Sequence, residues 1–252
     1  MDRPALRPPQ SHGDIVLLTA RFTQRQRDTW QAAALPLLSH QENAAQSAFS
    51  SPDRRCAYAV GHALARLAAA TLDGCDPRSL NLIVSSTGKP LFERREDLQV
   101  SIAHTGRLVV ACAFSGAPVG IDVEHPAVTA PPSDPLRIAQ RMFPKNEAAA
   151  LKAAPPQLRN SWFLSAWMFK EAVGKTLGTG IIPALSGVQM SYGAAGPSVQ
   201  AVWSGPPCSQ WSMHELAVPG APERIALTVP VANLKAPLPR AVSAPALSAQ
   251  AR

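Results

Sequence analysis

The chain has 252 residues, 46% of them hydrophobic, with a formal net charge of +7 and a pI of about 9.7. That length gives ample core for one large domain or two small ones, and the positive balance favours an anionic partner: nucleic acid, an acidic protein or a polyphosphate cofactor. No apolar run is long enough to span a bilayer, no basic stretch is interleaved with aromatics as a nucleic-acid platform would be, and Cys56, Cys75, Cys112 and Cys208 form no C-x-x-C pair, which fits a reduced, cytoplasmic protein.

Residues 1–13 are polar and Pro-rich, without the apolar core of a signal peptide, and are expected to be a flexible leader. A first strand is predicted from Asp14 to Ala20. Pro52 to Leu72 reads as a helix with Tyr58, Leu64 and Leu67 among many alanines, and with Arg54, Arg55, His62 and Arg66 elsewhere on its surface. Leu80–Ser85 and Leu108–Phe114 read as strands, the second buried on both faces by its unbroken apolar run. Another strand is predicted at 119–124, then a loop from Ala127 to Asp134 and a short helix from Pro135 to Met142. A longer helix follows, with Pro155 and Pro156 near its start and Gly178-Thr179-Gly180 near its end. Gly187–Tyr192, Val199–Trp203, Trp211–Leu216 and Ile225–Val229 read as strands. From about 235 onward Ala, Pro and Ser dominate, as in a disordered tail. The pattern is α+β, with helices beside small, mostly antiparallel sheets. The expected division is 1–13, 14–117, 118–234 and 235–252.

Two segments carry the chemistry. In the strand Val119-Gly120-Ile121-Asp122-Val123-Glu124, alternation sends Val119, Ile121 and Val123 to one face and Asp122 and Glu124 to the other. The two carboxylates then start roughly 7 Å apart, at about 3.3 Å per residue. Gly120 is expected to keep that face open. A solvent-facing acidic strand end is the plain alternative. In the helix Trp167-Met168-Phe169-Lys170-Glu171-Ala172-Val173-Gly174-Lys175, Glu171 and Lys175 are one turn apart on one face. Phe163 and Trp167 precede them at helical spacing as anchors to a core. An ordinary surface Glu–Lys pair, worth a few tenths of a kcal/mol, is the alternative here. Gly174 speaks mildly against it, because glycine inside a helix costs about 1 kcal/mol relative to alanine and calls for a packing or access reason.

Together these segments resemble the signature of the 4'-phosphopantetheinyl transferase family, of the larger, Sfp-like type. The pattern is G-[IV]-D-x-E, then W-x-x-K-E-[AS]-x-x-K forty to fifty residues later. The stretch from Phe143 through Glu147 to Leu151 resembles the family's F-x-x-x-E-x-x-x-L. Thr87-Gly88-Lys89-Pro90 resembles its G-K-P turn, and Ser101-Ile102-Ala103-His104-Thr105 its N-[IV]-S-H-[ST] segment. The matches span roughly residues 35–183, in the family's order.

The resemblance implies two pseudo-symmetric α+β halves with an active site in the cleft between them. It implies an Mg²⁺-dependent transfer of the phosphopantetheine arm of coenzyme A to a serine of an apo acyl or peptidyl carrier protein, with release of 3',5'-ADP. Asp122, Glu124 and Glu171 are the expected metal ligands, and Asp122, Glu171 and Lys175 the expected catalytic set. Glu171 is open to two roles, metal ligand or general base. Lys89, His104, Thr105, Lys170, Lys175 and Arg55 are the expected coenzyme A contacts. The chain departs from the pattern at Ala103, where a serine is usual, and between Glu42 and Ser51, which lacks the family's basic residues. Arg54 and Arg55 are the substitutes considered for the latter. A monomer is expected, with no nucleic acid or membrane partner. The competing reading is a non-catalytic carrier-binding module of the same fold.

Other patterns lead nowhere. Gly174-Lys175-Thr176 ends like a phosphate-binding loop, but Phe169 stands where its first glycine belongs. Ser101, His104 and Asp122 lack a nucleophile elbow. Glu147 is as well explained by a structural ion pair as by catalysis.

Overall fold

The computed structural model describes residues 15–126, 134–193, 196–203, 211–218, 220–230 and 242–243. The expected leader 1–13 and most of the loop 127–134 lie outside these residues. The chain divides into two compact units, one up to Pro118 together with the C-terminal residues from Leu234, and one from Val119 to Asn233. The α+β expectation holds: both units combine helices with antiparallel strand pairs.

In the first unit, strand β1 (Ile15–Arg21) leads to short helices α1 (Arg27–Ala34) and α2 (His40–Ser47), then to the 22-residue α3 (Pro52–Asp73). Ser51 caps α3, Pro52 opens it without wasting an N–H, and Gly74 closes it at φ 71°. Strands β2 (Leu82–Val84) and β3 (Pro90–Phe92) form a hairpin, and β4 (Leu98–Thr105) and β5 (Leu108–Ser115) another. The main sheet runs β11-β1-β5-β4, where β11 (Val242–Ser243) lies parallel to β1 and the other pairs are antiparallel. Part of the stretch expected as a disordered tail is therefore strand.

The alanines of α3 let it lie close on β4 and β5. Gly61 is the contact point, where an added Cβ would come 2.7 Å from Ile102. Glu42 is buried beneath this helix. It accepts two bonds from Arg66 (2.7 and 2.5 Å), one from His62 Nδ1 (2.7 Å) and one from the Ser39 N–H (2.7 Å). Tyr58 stacks on His62, with ring centroids 4.0 Å apart. These bonds tie α2 to α3 and hold the Glu42 carboxyl far below the usual carboxylate range: burial opposes the shift, and His62, Arg66 and Ser39 outweigh it.

The second unit opens with β6 (Gly120–Glu124), followed by α4 (Pro135–Met142), α5 (Lys145–Ala153), the 22-residue α6 (Pro156–Leu177) and α7 (Ile181–Gly187). Strands β7 (Val188–Gly193) and β8 (Gly196–Trp203) form a hairpin, and β9 (Trp211–Ala217) and β10 (Arg224–Pro230) complete a sheet ordered β6-β10-β9. Gly178 ends α6 in the left-handed conformation at φ 68°. Helix α6 packs on β6 and β10, and its buried stripe includes Phe163, Ala166, Met168, Phe169, Ala172 and Val173.

Candidate active site

Strand β6 and helix α6 meet more closely than alternation alone suggests. A Cβ on Gly120 would lie 1.9 Å from the Ala172 carbonyl oxygen and 2.3 Å from Thr176 Oγ1. Glycine is thus present to let the helix touch the strand, not to keep a face open to solvent. Thr228 Oγ1 on β10 bonds Thr176 Oγ1 and donates to Gly120 O (3.3 Å), while Thr176 Oγ1 donates to Ala172 O (2.8 Å). Gly174 has its own reason. A methyl there would lie 2.6 Å from Gly180 O, so the turn after α6 folds back directly against the helix.

This contact sets the reactive side chains. Asp122 is buried, at 5% exposure, which overturns the solvent-facing alternative. Lys175 Nζ donates to Asp122 Oδ1 at 2.8 Å and lies 3.8 Å from Glu171 Oε2. Burial raises the proton affinity of Glu171, the Asp122 charge raises it further, and Lys175 and a hydrogen bond from Trp167 only partly offset both. Burial works against the Lys175 charge, yet Asp122 and Glu171, with a smaller contribution from Glu124, hold its ammonium above the ordinary lysine value. The carboxyls of Asp122 and Glu171 are therefore pressed together and share one lysine.

Asp122 Oδ2 is buried and has no hydrogen-bond partner among the described residues. A hard cation with oxygen ligands would satisfy that atom and relieve the Asp122–Glu171 repulsion, so this pair fits Mg²⁺. Among the described residues no three acidic, histidine or cysteine side chains converge on one point. Glu124 is half-buried and acts on Lys175 through its charge. Arg224 on β10 is its register partner, and bonds Glu215 (3.2 Å) and Ser165 (3.3 Å) on the same unit.

Lys170 departs from expectation. Its side chain is 0% exposed, and its ammonium sits 3.1 Å from Glu147 Oε1 and donates to the Val188 carbonyl. It is not presented to a ligand beside Glu171. The structural ion pair considered for Glu147 is present. Sequence reading also passed over Trp167 as a donor to Glu171, and Thr176 and Thr228 as the stitches between α6 and the sheet.

The remaining expected contacts belong to the first unit. Lys89 sits half-buried in the β2–β3 turn, closed by Ser85 N to Lys89 O (2.9 Å) and by Lys89 N to Ser85 Oγ (3.0 Å). Gly88 stands at φ 88° before it. Burial lowers the Lys89 pKa. His104 is exposed near the end of β4 and pairs with Val109, while Thr105 pairs with Leu108, so the two side chains leave opposite faces of the sheet. Thr105 shares its face with Ala103, the position that lacks the usual serine. Arg55, in the first turns of α3, has a buried Nε without a hydrogen-bond partner among the described residues.

A sequence profile of the 4'-phosphopantetheinyl transferase superfamily matches residues 118–230, the stretch that carries β6, helices α4 to α7 and strands β7 to β10. A 4'-phosphopantetheinyl transferase of Bacillus subtilis is 34% identical over 122 residues, covering 48% of this chain and 52% of that protein. The 4'-phosphopantetheinyl transferase Sfp of Bacillus subtilis strain 168 is 31% identical over 156 residues, covering 57% of this chain and 67% of Sfp. The chain belongs to the Sfp-like 4'-phosphopantetheinyl transferase family. The likeness extends to a putative 4'-phosphopantetheinyl transferase of Synechocystis, 29% identical over 155 residues, 60% of this chain and 61% of that protein. The matched stretch spans about half the length of the first of these relatives. Among the described residues no helix is long and apolar enough to cross a membrane.

Proposed function

We propose that this chain moves the 4'-phosphopantetheine arm of coenzyme A onto a serine hydroxyl of an apo acyl or peptidyl carrier protein. The observation that carries the reading is the meeting of Asp122, Glu171 and Lys175 where α6 touches β6, in a chain of this family. In the reaction a serine oxygen–phosphorus bond forms, and the pyrophosphate P–O bond to 3',5'-ADP breaks with its electron pair going to the departing oxygen. The serine O–H bond breaks as its proton leaves, and no covalent intermediate forms on this chain, so its side chains contribute position, charge and a proton acceptor.

Lys175 is the fixed cation. Its ammonium, held above the ordinary lysine value by Asp122 and Glu171, stays charged and donates to a phosphate oxygen as charge builds on the leaving group. Glu171 takes the serine proton, since burial and Asp122 already raise its affinity for one. Asp122 orients Lys175 through the 2.8 Å bond. Asp122 and Glu171 are the residues that would hold Mg²⁺, with Glu124 added on the likeness of its motif alone, and the ion when bound would supply neutralisation of the pyrophosphate oxygens. Glu171 is thus assigned both as a residue that would hold the cation and as the acceptor of the serine proton. Lys89, His104 and Thr105 are assigned to the nucleotide end of coenzyme A on the likeness of their motifs, Arg55 as the substitute for basic residues the chain lacks between Glu42 and Ser51, and Lys170 is withdrawn from that set because it is fully buried.

The test is a panel of apo carrier proteins incubated with the chain, coenzyme A and Mg²⁺ and read by intact mass. A gain of one phosphopantetheine on one serine is expected with at least one carrier. No gain on any fatty-acid, polyketide or nonribosomal carrier sinks the proposal. Carrier binding without coenzyme A binding would favour the docking-module reading instead.

A further inference from the structure

Burying one lysine and one glutamate costs several kcal/mol per ion before they attract each other. The second unit nevertheless holds Lys170 at 0% and Glu147 at 1% exposure. Burial drives the Lys170 pKa down and Glu147 opposes that shift. Oil-like side chains of similar volume often serve stability as well as such a pair does. The pair therefore calls for a reason other than stability.

Its contacts suggest one. Glu147 on α5 accepts from Lys170 on α6 (3.1 Å) and from the Met190 N–H on β7 (2.6 Å), through the same oxygen. Lys170 also donates to the Val188 carbonyl on β7, and its ammonium lies 5.0 Å from the Phe143 ring centroid. The β7–β8 register shifts between Gln189 and Ser191, which leaves the Met190 N–H to be satisfied outside the ladder. The ion pair supplies that partner. It joins a helix to both main-chain groups of an irregular strand start.

The chain between Lys170 and Val188 holds Glu171, Lys175, the Gly174–Gly180 contact and α7. Lys170 closes this segment at its base. It also fixes the rotation of α6, because it is adjacent to Glu171 in the helix and 100° around from it. We infer that the Glu147–Lys170 pair is a positioning device for the transferase site: it locks the rotation of α6 and the return of β7, and so holds Glu171 and Lys175 at their working distances from Asp122. This rests on the reading of Glu171 and Lys175 given above. Lys170 is a positioning residue that touches no substrate.

The experiment compares Lys170→Met, Glu147→Gln and the double variant with the wild-type protein. Lys170→Met strands a buried carboxylate and is expected to lower the melting temperature. The double variant removes both charges, keeps an amide oxygen for the Met190 N–H, and is expected to recover most of that loss. Its kcat is expected to stay about ten- to a hundredfold low, with KM for coenzyme A unchanged. Amide exchange across residues 171–190 is expected to quicken on the order of tenfold. A double variant with wild-type kcat and wild-type exchange overturns the inference. So does a raised Kd for coenzyme A with unaltered exchange, which would make Lys170 a ligand contact. If the wild-type chain modifies no carrier, the proposed function fails, and exchange across 171–190 still decides whether the pair locks this segment.

Discussion

Gly120→Ala tests the closest contact in the second unit. The new methyl would sit 1.9 Å from the Ala172 carbonyl oxygen and 2.3 Å from Thr176 Oγ1. A carbon approaches such an oxygen to roughly 3.3 Å, so α6 and β6 must part by about 1.4 Å. The obstacle is helix backbone, so no rotamer change relieves it. Ala172 and Thr176 are the neighbours of Glu171 and Lys175, so the movement is delivered to the site itself. The 2.8 Å bond from Lys175 to Asp122 then stretches beyond hydrogen-bond reach. Overpacking of this kind costs about 1–3 kcal/mol, which corresponds to a fall in melting temperature of roughly 2–12 °C for a chain of this size. Displacing reactive groups by about 1 Å costs on the order of a hundredfold in rate. Thermal melting and carrier modification by intact mass, run on one preparation, measure both. A Gly120→Ala protein that melts and transfers like the wild type would show that the contact between β6 and α6 is looser than described and that the reasoning is wrong.

Asp122→Asn and Glu171→Gln are expected to abolish transfer while far-UV circular dichroism stays native; wild-type rates in both would remove the site assignment. Glu42 makes the first unit acid-sensitive. Its carboxyl titrates well below the unfolded value of about 4.3, so its stabilisation is complete above that value and is lost as pH falls below it. Urea midpoints from pH 7 down to about 3 should fall more for the wild type than for Glu42→Gln, which is expected to start about 3–5 kcal/mol lower because Arg66 is left buried without its partner; parallel curves would contradict this. Gly178→Ala places a side chain at φ 68° and is expected to cost about 1–2 kcal/mol, read as a lower urea midpoint, with no effect expected if the α6 cap is misplaced.

What could be read from the sequence followed the strength of the local signal. Helices α3 and α6 were legible because Pro, Gly and a long apolar stripe bound them, and β6 because valine and isoleucine alternate with acids. The short helices α1 and α2 carry few apolar residues and were missed, although Ser39 and Glu42 form a capping box that marks the start of α2. Strand β4 is not among the predicted elements, although Leu98, Val100 and Ile102 alternate with Gln99 and Ser101. Lys170 was the instructive error. The family resemblance implies a ligand contact for Lys170, yet Lys170 lies four residues after Ala166 and three before Val173, both buried, and so falls on the inward stripe of the helix. The partner that makes this bearable, Glu147, lies on another helix, and no local pattern shows that. The meeting of Asp122 with Lys175 likewise depends on glycine allowing a helix–strand approach that only the folded chain reveals.

The strand order of the first unit has a consequence for synthesis. Strand β1 pairs with β5 on one side and presents its other edge to the outermost strand β11; β1 is among the first described residues made, but β11 comes after the whole of Val119–Asn233. At about 5–20 residues per second, a nascent β1 waits on the order of ten seconds with that edge unpaired. An N-terminal unit made alone, as by a premature stop after Pro118, would never close the edge at all. The ribosome thus completes the later unit before the earlier one, and the quality of the finished protein depends on how well an open strand is shielded in the interval.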